Sequence, residues 1–176
     1  MAASAQPAFH YIGYDDFVRD IEALAGKVGW DGWVPDYVVG IGRGGHVPGA
    51  FMSHRTGIAM LSIDHSSKVV EFADDLLIKL AAKSARGTRI LMIDDINDSG
   101  ATIQQLRDMF ASHGADPSHI RFAVLINNSR SQAKVDYWAR TINRDLDKEW
   151  FVFPWEAMAG TQILAEAALA VPERLA

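Results

Sequence analysis

The chain has 176 residues, of which 49% are hydrophobic and 22% charged, and its formal net charge is −5. That length suits one domain with a sizeable core, and the acidic balance argues against a general nucleic-acid or membrane binder. Cysteine is absent, which excludes disulfides and thiolate metal sites, and the six histidines show no HExxH-type spacing.

Met1–Ala8 has no charged n-region ahead of an apolar core, and no window reaches the length of a membrane span, so the expected location is the cytoplasm. In Tyr14–Val28, the residues Phe17, Ile21, Leu24 and Val28 recur at steps of three or four, predicting an amphipathic helix helped at its start by Asp15 or Asp16. Trp30 and Trp33 lie in a Gly-rich connection and are expected to anchor packing. Tyr37–Ile41 reads as the first core strand, followed by Gly42, Arg43, Gly44 and Gly45 and then a helix from about Val47 to Thr56. Ile58–Ile63 reads as a strand, His65–Val70 as a polar stretch without a period, and Phe72–Ala85 as a helix. Ile90–Ile93 is the next strand, Ala101–His113 its helix, Ile120–Ile126 a further strand and Asn127–Lys134 a polar loop. Trp150–Phe153 is a short strand stopped by Pro154, and Gly160–Ala170 a final Ala-rich helix. Its Ile163, Leu164 and Leu169 are expected to be exposed, supporting a homodimer or homotetramer or else capping the domain. Strands alternating with helices predict an α/β fold with a parallel sheet covered on both faces. A ligand then belongs at the carboxyl ends of the strands, where Arg43, Asp94 and Asp95 fall. No repeat or low-complexity linker divides the chain, so residues 1–176 are read as a single domain.

Arg89–Thr102, RILMIDDINDSGAT, carries the densest chemistry. A β-branched apolar run ends in Asp94 and Asp95, and a loop of small residues then opens a helix. Backbone N–H groups at such a helix start, with the dipole behind them, make an anion cradle, most often for phosphate. Ser99 and Thr102 add hydroxyl donors. Asp94 and Asp95 repel phosphate and therefore suit ribose hydroxyls or a hydrated magnesium ion. The ligand so described is a sugar phosphate with free hydroxyls.

Ile90–Thr102 resembles the signature of type I phosphoribosyltransferases, which use phosphoribosyl pyrophosphate (PRPP). The resemblance implies that family's parallel-sheet, Rossmann-like fold with a small hood formed by terminal segments. The core would span about residues 36–127, and the hood about 128–160 with the N-terminal segment. It implies that Asp94 and Asp95 hold the ribose and, through water, Mg2+, and that Asn97, Asp98, Ser99, Gly100, Ala101 and Thr102 hold the 5-phosphate. GIGRGGHVPGA resembles the pyrophosphate loop of the purine enzymes, above all the xanthine-guanine type, and places Gly42, Arg43 and Gly44 on the pyrophosphate. In that family the loop often contains a non-proline cis peptide. Ser66, Ser67 and Lys68 fall where the family has a loop that closes over the reacting centre. Trp150–Glu156, WFVFPWE, resembles the family's base-binding stretch, with Trp150 stacking on the purine, Phe151 offering backbone groups to its edge and Glu156 near the base.

One position departs from the pattern. The family's lysine for the purine 6-oxygen is replaced by Asn127, with Asn128 next. An amide can donate or accept, so the identity of the base stays open. Asp98 is the candidate catalytic base toward the purine, as the family's equivalent acid is, and it also suits a helix N-cap. The resemblance covers about Asp36 to Glu156. It implies transfer of a phosphoribosyl group to a nucleobase, with Mg2+ as cofactor and PRPP and the base as partners, without nucleic acid or membrane. Two alternatives remain: a PRPP-sensing regulator without turnover, and an NAD(P)-binding oxidoreductase suggested by Gly40-Ile-Gly42-Arg-Gly44-Gly45 with Asp64 beyond.

Overall fold

A computed structural model describes residues 7–64 and 74–170. Ser66, Ser67 and Lys68, with the start of the helix expected from Phe72, lie outside the described residues. The elements are β1 (Phe9–Tyr11), α1 (Tyr14–Lys27), β2 (Tyr37–Ile41), α2 (Gly42–Thr56), β3 (Ala59–Ile63), α3 (Asp74–Ser84) and β4 (Ile90–Asn97). They continue as α4 (Ala101–Ser112), β5 (Ile120–Asn128), β6 (Tyr137–Ile142), β7 (Trp150–Val152) and α5 (Thr161–Leu169).

Five parallel strands form the main sheet in the order β3-β2-β4-β5-β6. The strands alternate their side chains between two faces. Ile90 and Met92 of β4 join Leu77 and Leu80 of α3 and Ile103, Leu106 and Phe110 of α4 on one side. Leu91 and Ile93 join Phe17, Ile21 and Leu24 of α1 and Met52 of α2 on the other. Burial on both faces is why these strands read as unbroken apolar runs. The winding reverses between β2 and β4, and at such a point the carboxyl ends leave a crevice. A separate parallel pair, β1 with β7, sets Phe9 opposite Trp150 and His10 opposite Phe151.

Several boundaries differ from expectation. β4 continues past Ile93 to Asn97, because Asp94, Ile96 and Asn97 stay in register with Val124, Ile126 and Asn127 of β5. α2 opens at Gly42 instead of Val47: Gly42 takes φ +53 and turns the strand directly into the helix. All peptide bonds of the described residues are trans, so the cis bond expected after β2 is not formed. β1 and β6 carry no clean apolar alternation in the sequence. Trp33 is 7% exposed and its indole N–H donates to Ser118 O at 3.2 Å, whereas Trp30 is 88% exposed and anchors nothing. Leu164, expected at the surface, is buried, while Ile163 and Leu169 are exposed.

Candidate functional site

Asp94 and Asp95, in the second half of β4, lie against the first turn of α2. Glycine is required there by space: a Cβ on Gly44 would stand 2.6 Å from Asp95 Oδ2 and 2.9 Å from Asp94 Oδ1. The Asp95 amide donates to Asp94 Oδ1 at 3.0 Å, and the Ile96 amide to Asp95 Oδ1 at 2.7 Å. Glu156, at the start of a short 3-10 turn after β7, lines the same cleft, and its Oε2 accepts from the Phe153 amide at 3.1 Å.

Crowding three carboxylates away from water disfavours their charged forms. Burial pushes Asp94 well above the usual carboxylate range, and the charge of Asp95 adds to it. Burial raises Asp95 to about 7, with a further push from Glu156. Glu156 is also raised by burial, partly offset by the Phe153 amide and by Arg43. An all-oxygen acidic set of this kind suits a hard divalent cation. Among the described residues no three acidic or histidine side chains are placed to hold a metal. The carboxylates therefore fit a hydrated Mg2+ that brings other oxygens with it, and do not form a protein-only cage.

The raised acid has a consequence for stability. Asp95 binds its proton more tightly folded than unfolded, so its contribution is fully present below about pH 4 and is lost as pH rises toward 7. Between pH 5 and pH 7.5 the ligand-free protein is expected to lose about 2 kcal/mol relative to Asp95→Asn. Urea unfolding of both proteins at the two pH values checks this, and parallel curves would contradict it.

The loop of small residues follows β4. Gly100, at φ +92, is the N-cap of α4 and offers no side chain to the first turn, so the Thr102 and Ile103 amides have no side-chain cap from it and can face an anion. The loop is braced from behind: the Gln132 amide donates to Ser99 O at 3.0 Å, and a Cβ on Gly100 would meet Ala133 N at 2.5 Å. Ser99 Oγ accepts from the Ala101 amide at 3.2 Å.

Asp94, Asp95, Ser99–Thr102, Trp150, Phe151 and Glu156 line one cleft of about 290 Å³. Gly42, Arg43 and Gly44 line an adjoining hollow that shares Asp94, Asp95, Thr102, Trp150 and Glu156. Arg43 lies in the first turn of α2, the end of the helix dipole that disfavours a cation. Its position suits an anionic ligand better than it suits the helix.

Of three further expected residues, Asn97 and Asp98 line the cleft with side chains engaged inside the protein, and the third lies off it. Asn127 does not line the cleft; its Oδ1 accepts from Asn97 Nδ2 at 2.8 Å across the strand pair. Asn97 spends its own amide internally, donating also to Ala133 O at 2.8 Å and accepting from Ser131 Oγ at 3.0 Å. Asp98 is not the N-cap. Its carboxylate is gripped by Arg144, with Nε at 2.9 Å from Oδ1 and Nη2 at 2.9 Å from Oδ2, and its carbonyl accepts from Asn128 Nδ2 at 3.0 Å.

Arg144 is the residue that the sequence pattern did not single out. It sits among Asn, Asp and Lys in a stretch that reads as a solvated turn, yet it is 3% exposed and lines the cleft. The available signal was indirect: with Asn127 in the lysine's place, the acidic cleft lacked a cation at its base end.

A family model for the phosphoribosyl transferase domain matches residues 13–159. A purine phosphoribosyltransferase from Pyrococcus horikoshii Ot3 is similar, with 24% identity, 86% of this chain and 96% of that chain covered, and a TM-score of 0.63. A Helicobacter pylori xanthine-guanine-hypoxanthine phosphoribosyltransferase aligns at 21% identity over 85% of this chain and 93% of that one, TM-score 0.61. A hypothetical protein from Neisseria gonorrhoeae with bound ppGpp aligns at 22% identity over 92% and 97%, TM-score 0.67. These structures share the fold, and the match over most of the length shows that the chain belongs to the phosphoribosyltransferase family.

Proposed function

We propose that the protein transfers the 5-phosphoribosyl group of PRPP to a purine base, releasing pyrophosphate and forming a nucleoside monophosphate. The observation that carries this reading is the meeting of an acid pair, a phosphate loop and an aromatic wall in one cleft. The α4 N-terminus takes the 5-phosphate. Asp94 and Asp95 accept from the ribose hydroxyls. Arg43 neutralises charge growing on the departing pyrophosphate as the bond from C1 of the ribose to oxygen breaks. Trp150 offers a flat face to the incoming ring, which the small β1–β7 sheet holds over the sugar as a hood. A ring nitrogen forms the new bond to C1, through a transition state with oxocarbenium character. Arg144 holds and aims the Asp98 carboxylate, which is the group that would take the ring proton. Mg2+ would neutralise the pyrophosphate, held through water by Asp94 and Asp95.

The purine enzymes named above favour a purine acceptor. The dinucleotide alternative leaves the acid pair and Trp150 without a role. No helix among the described residues is long and apolar enough to cross a membrane. The exposed Met158, Ile163 and Leu169 provide an apolar surface that a homodimer or homotetramer would cover. The test is turnover of guanine, hypoxanthine, xanthine, adenine and uracil with PRPP and Mg2+, beside calorimetric titration of PRPP. Product is expected with at least one purine, and Asp94→Asn is expected to weaken PRPP binding at least tenfold. Absence of both heat and product would overturn the reading.

A further inference from the structure

The base end of the cleft has a cation, and it comes from an unexpected place. Asn127, at the end of β5, is turned to Asn97 and away from the cleft. Arg144, just past the end of β6, lines the cleft beside Asp98, Trp150 and Phe151. Its guanidinium stands 5.2 Å from the centre of the Phe151 ring.

A guanidinium has five N–H donors and no acceptor. In Arg144, Nε and one N–H of Nη2 go to the Asp98 carboxylate. Nη1 donates to Glu149 O at 2.7 Å and to Asp147 O at 3.3 Å. That accounts for four donors and, among the described residues, leaves one N–H of Nη2 unclaimed and open to a ligand. The group cannot turn to present anything else, because its other contacts pin it and a guanidinium carries donors only. An Asn could flip its amide to suit an oxygen or an amine; this arginine cannot.

Resting on the phosphoribosyl-transfer reading above, we propose that Arg144 selects the base: its remaining Nη2 N–H takes an exocyclic oxygen on the purine's six-membered ring. Purines with an oxo group there are accepted. Purines with an amino group would set donor against donor in a site with little water, and are rejected. A site built around a fixed donor discriminates strongly, because the wrong partner leaves a buried polar group unpaired.

The experiment compares kcat/KM for hypoxanthine, unsubstituted purine and adenine, with PRPP and Mg2+, in the wild-type protein and in Arg144→Lys and Arg144→Gln/Asp98→Asn. The wild type is expected to favour hypoxanthine over adenine by at least about 100-fold and over unsubstituted purine by at least about 10-fold. The double variant, in which no charge is left unpaired, is expected to turn over both bases more slowly and to lose at least tenfold of the hypoxanthine-to-adenine ratio. Arg144→Lys, which still offers only donors, is expected to retain most of the ratio. The proposal is overturned if the wild type prefers adenine, if it uses hypoxanthine and unsubstituted purine equally well, or if a folded double variant keeps the wild-type ratio. The comparison of hypoxanthine with unsubstituted purine needs no variant, so it decides the matter even if both variants fail to fold. Turnover with an unchanged base ratio would refute the role of Arg144 alone, whereas no turnover with any base would remove the parent reading as well.

Discussion

Arg144→Met is expected to lower the unfolding free energy by about 3–5 kcal/mol, the range for removing one partner of a buried ion pair. Arg144 and Asp98 have side chains only 4% and 15% exposed. Truncating the arginine leaves a carboxylate with little water to solvate it. It also strips donors from the carbonyls of Asp147 and Glu149. The double change Arg144→Met/Asp98→Asn is expected to recover most of the loss, because replacing a buried pair as a whole is often close to neutral. Urea unfolding of wild type, both single variants and the double variant closes the cycle, with a coupling of at least about 1 kcal/mol expected between the sites. A single variant as stable as wild type, or a double variant no better than the single, would show that the pair is not what ties the chain before Trp150 to the phosphate loop.

That pair also marks the boundary of what a linear reading can reach. The centre of the site was visible because its parts are contiguous. Ile90–Ile93, the two acids and the small-residue loop form one strand, turn and helix, so local pattern and final geometry coincide. Trp150 and Glu156 were visible for the same reason, as the two ends of one short stretch around Pro154. Asn127 shows the limit. Its place at the end of β5, opposite Asn97, follows from counting along the strand. Which way its side chain is engaged depends on Asn97, thirty positions away, which claims its oxygen. Arg144 is harder still, since its partner Asp98 is 46 positions away and its neighbours are turn formers. β6 went unread because an edge strand shows one face to the core and carries Arg140, which reaches across to Asp20 on α1 at 2.5 Å. The early start of α2 was hidden because a run of glycines has low helix propensity. What enforces helix there is the packing of the turn against β4, which no propensity scale contains.

Gly45→Ala tests that packing directly and is the second large effect. A Cβ at this position would lie 2.1 Å from Ile93 O, 3.1 Å from Ile93 C and 3.3 Å from Asp94 Cα. All three are backbone atoms of the central strand, so no side chain can swing aside. The opening of α2 has little of its own to resist displacement, since Pro48 lacks the N–H that would bond back to Gly44. The helix start must therefore move off β4, carrying Arg43 and Gly44 away from Asp94 and Asp95. Overpacking of this kind is expected to cost about 3 kcal/mol, and a shift of about 1 Å is enough to cost about 100-fold in kcat/KM. Gly26→Ala is the control. It adds the same methyl group inside α1, where nothing lies within 4 Å, and is expected to stabilise by about 0.5–1 kcal/mol. Urea midpoints and PRPP titrations on the two variants separate the site's requirement for close approach from the general preference of helices for alanine. If Gly45→Ala unfolds no earlier than wild type and binds PRPP as tightly, the meeting of α2 with the acid pair is not what shapes the pyrophosphate end of the cleft.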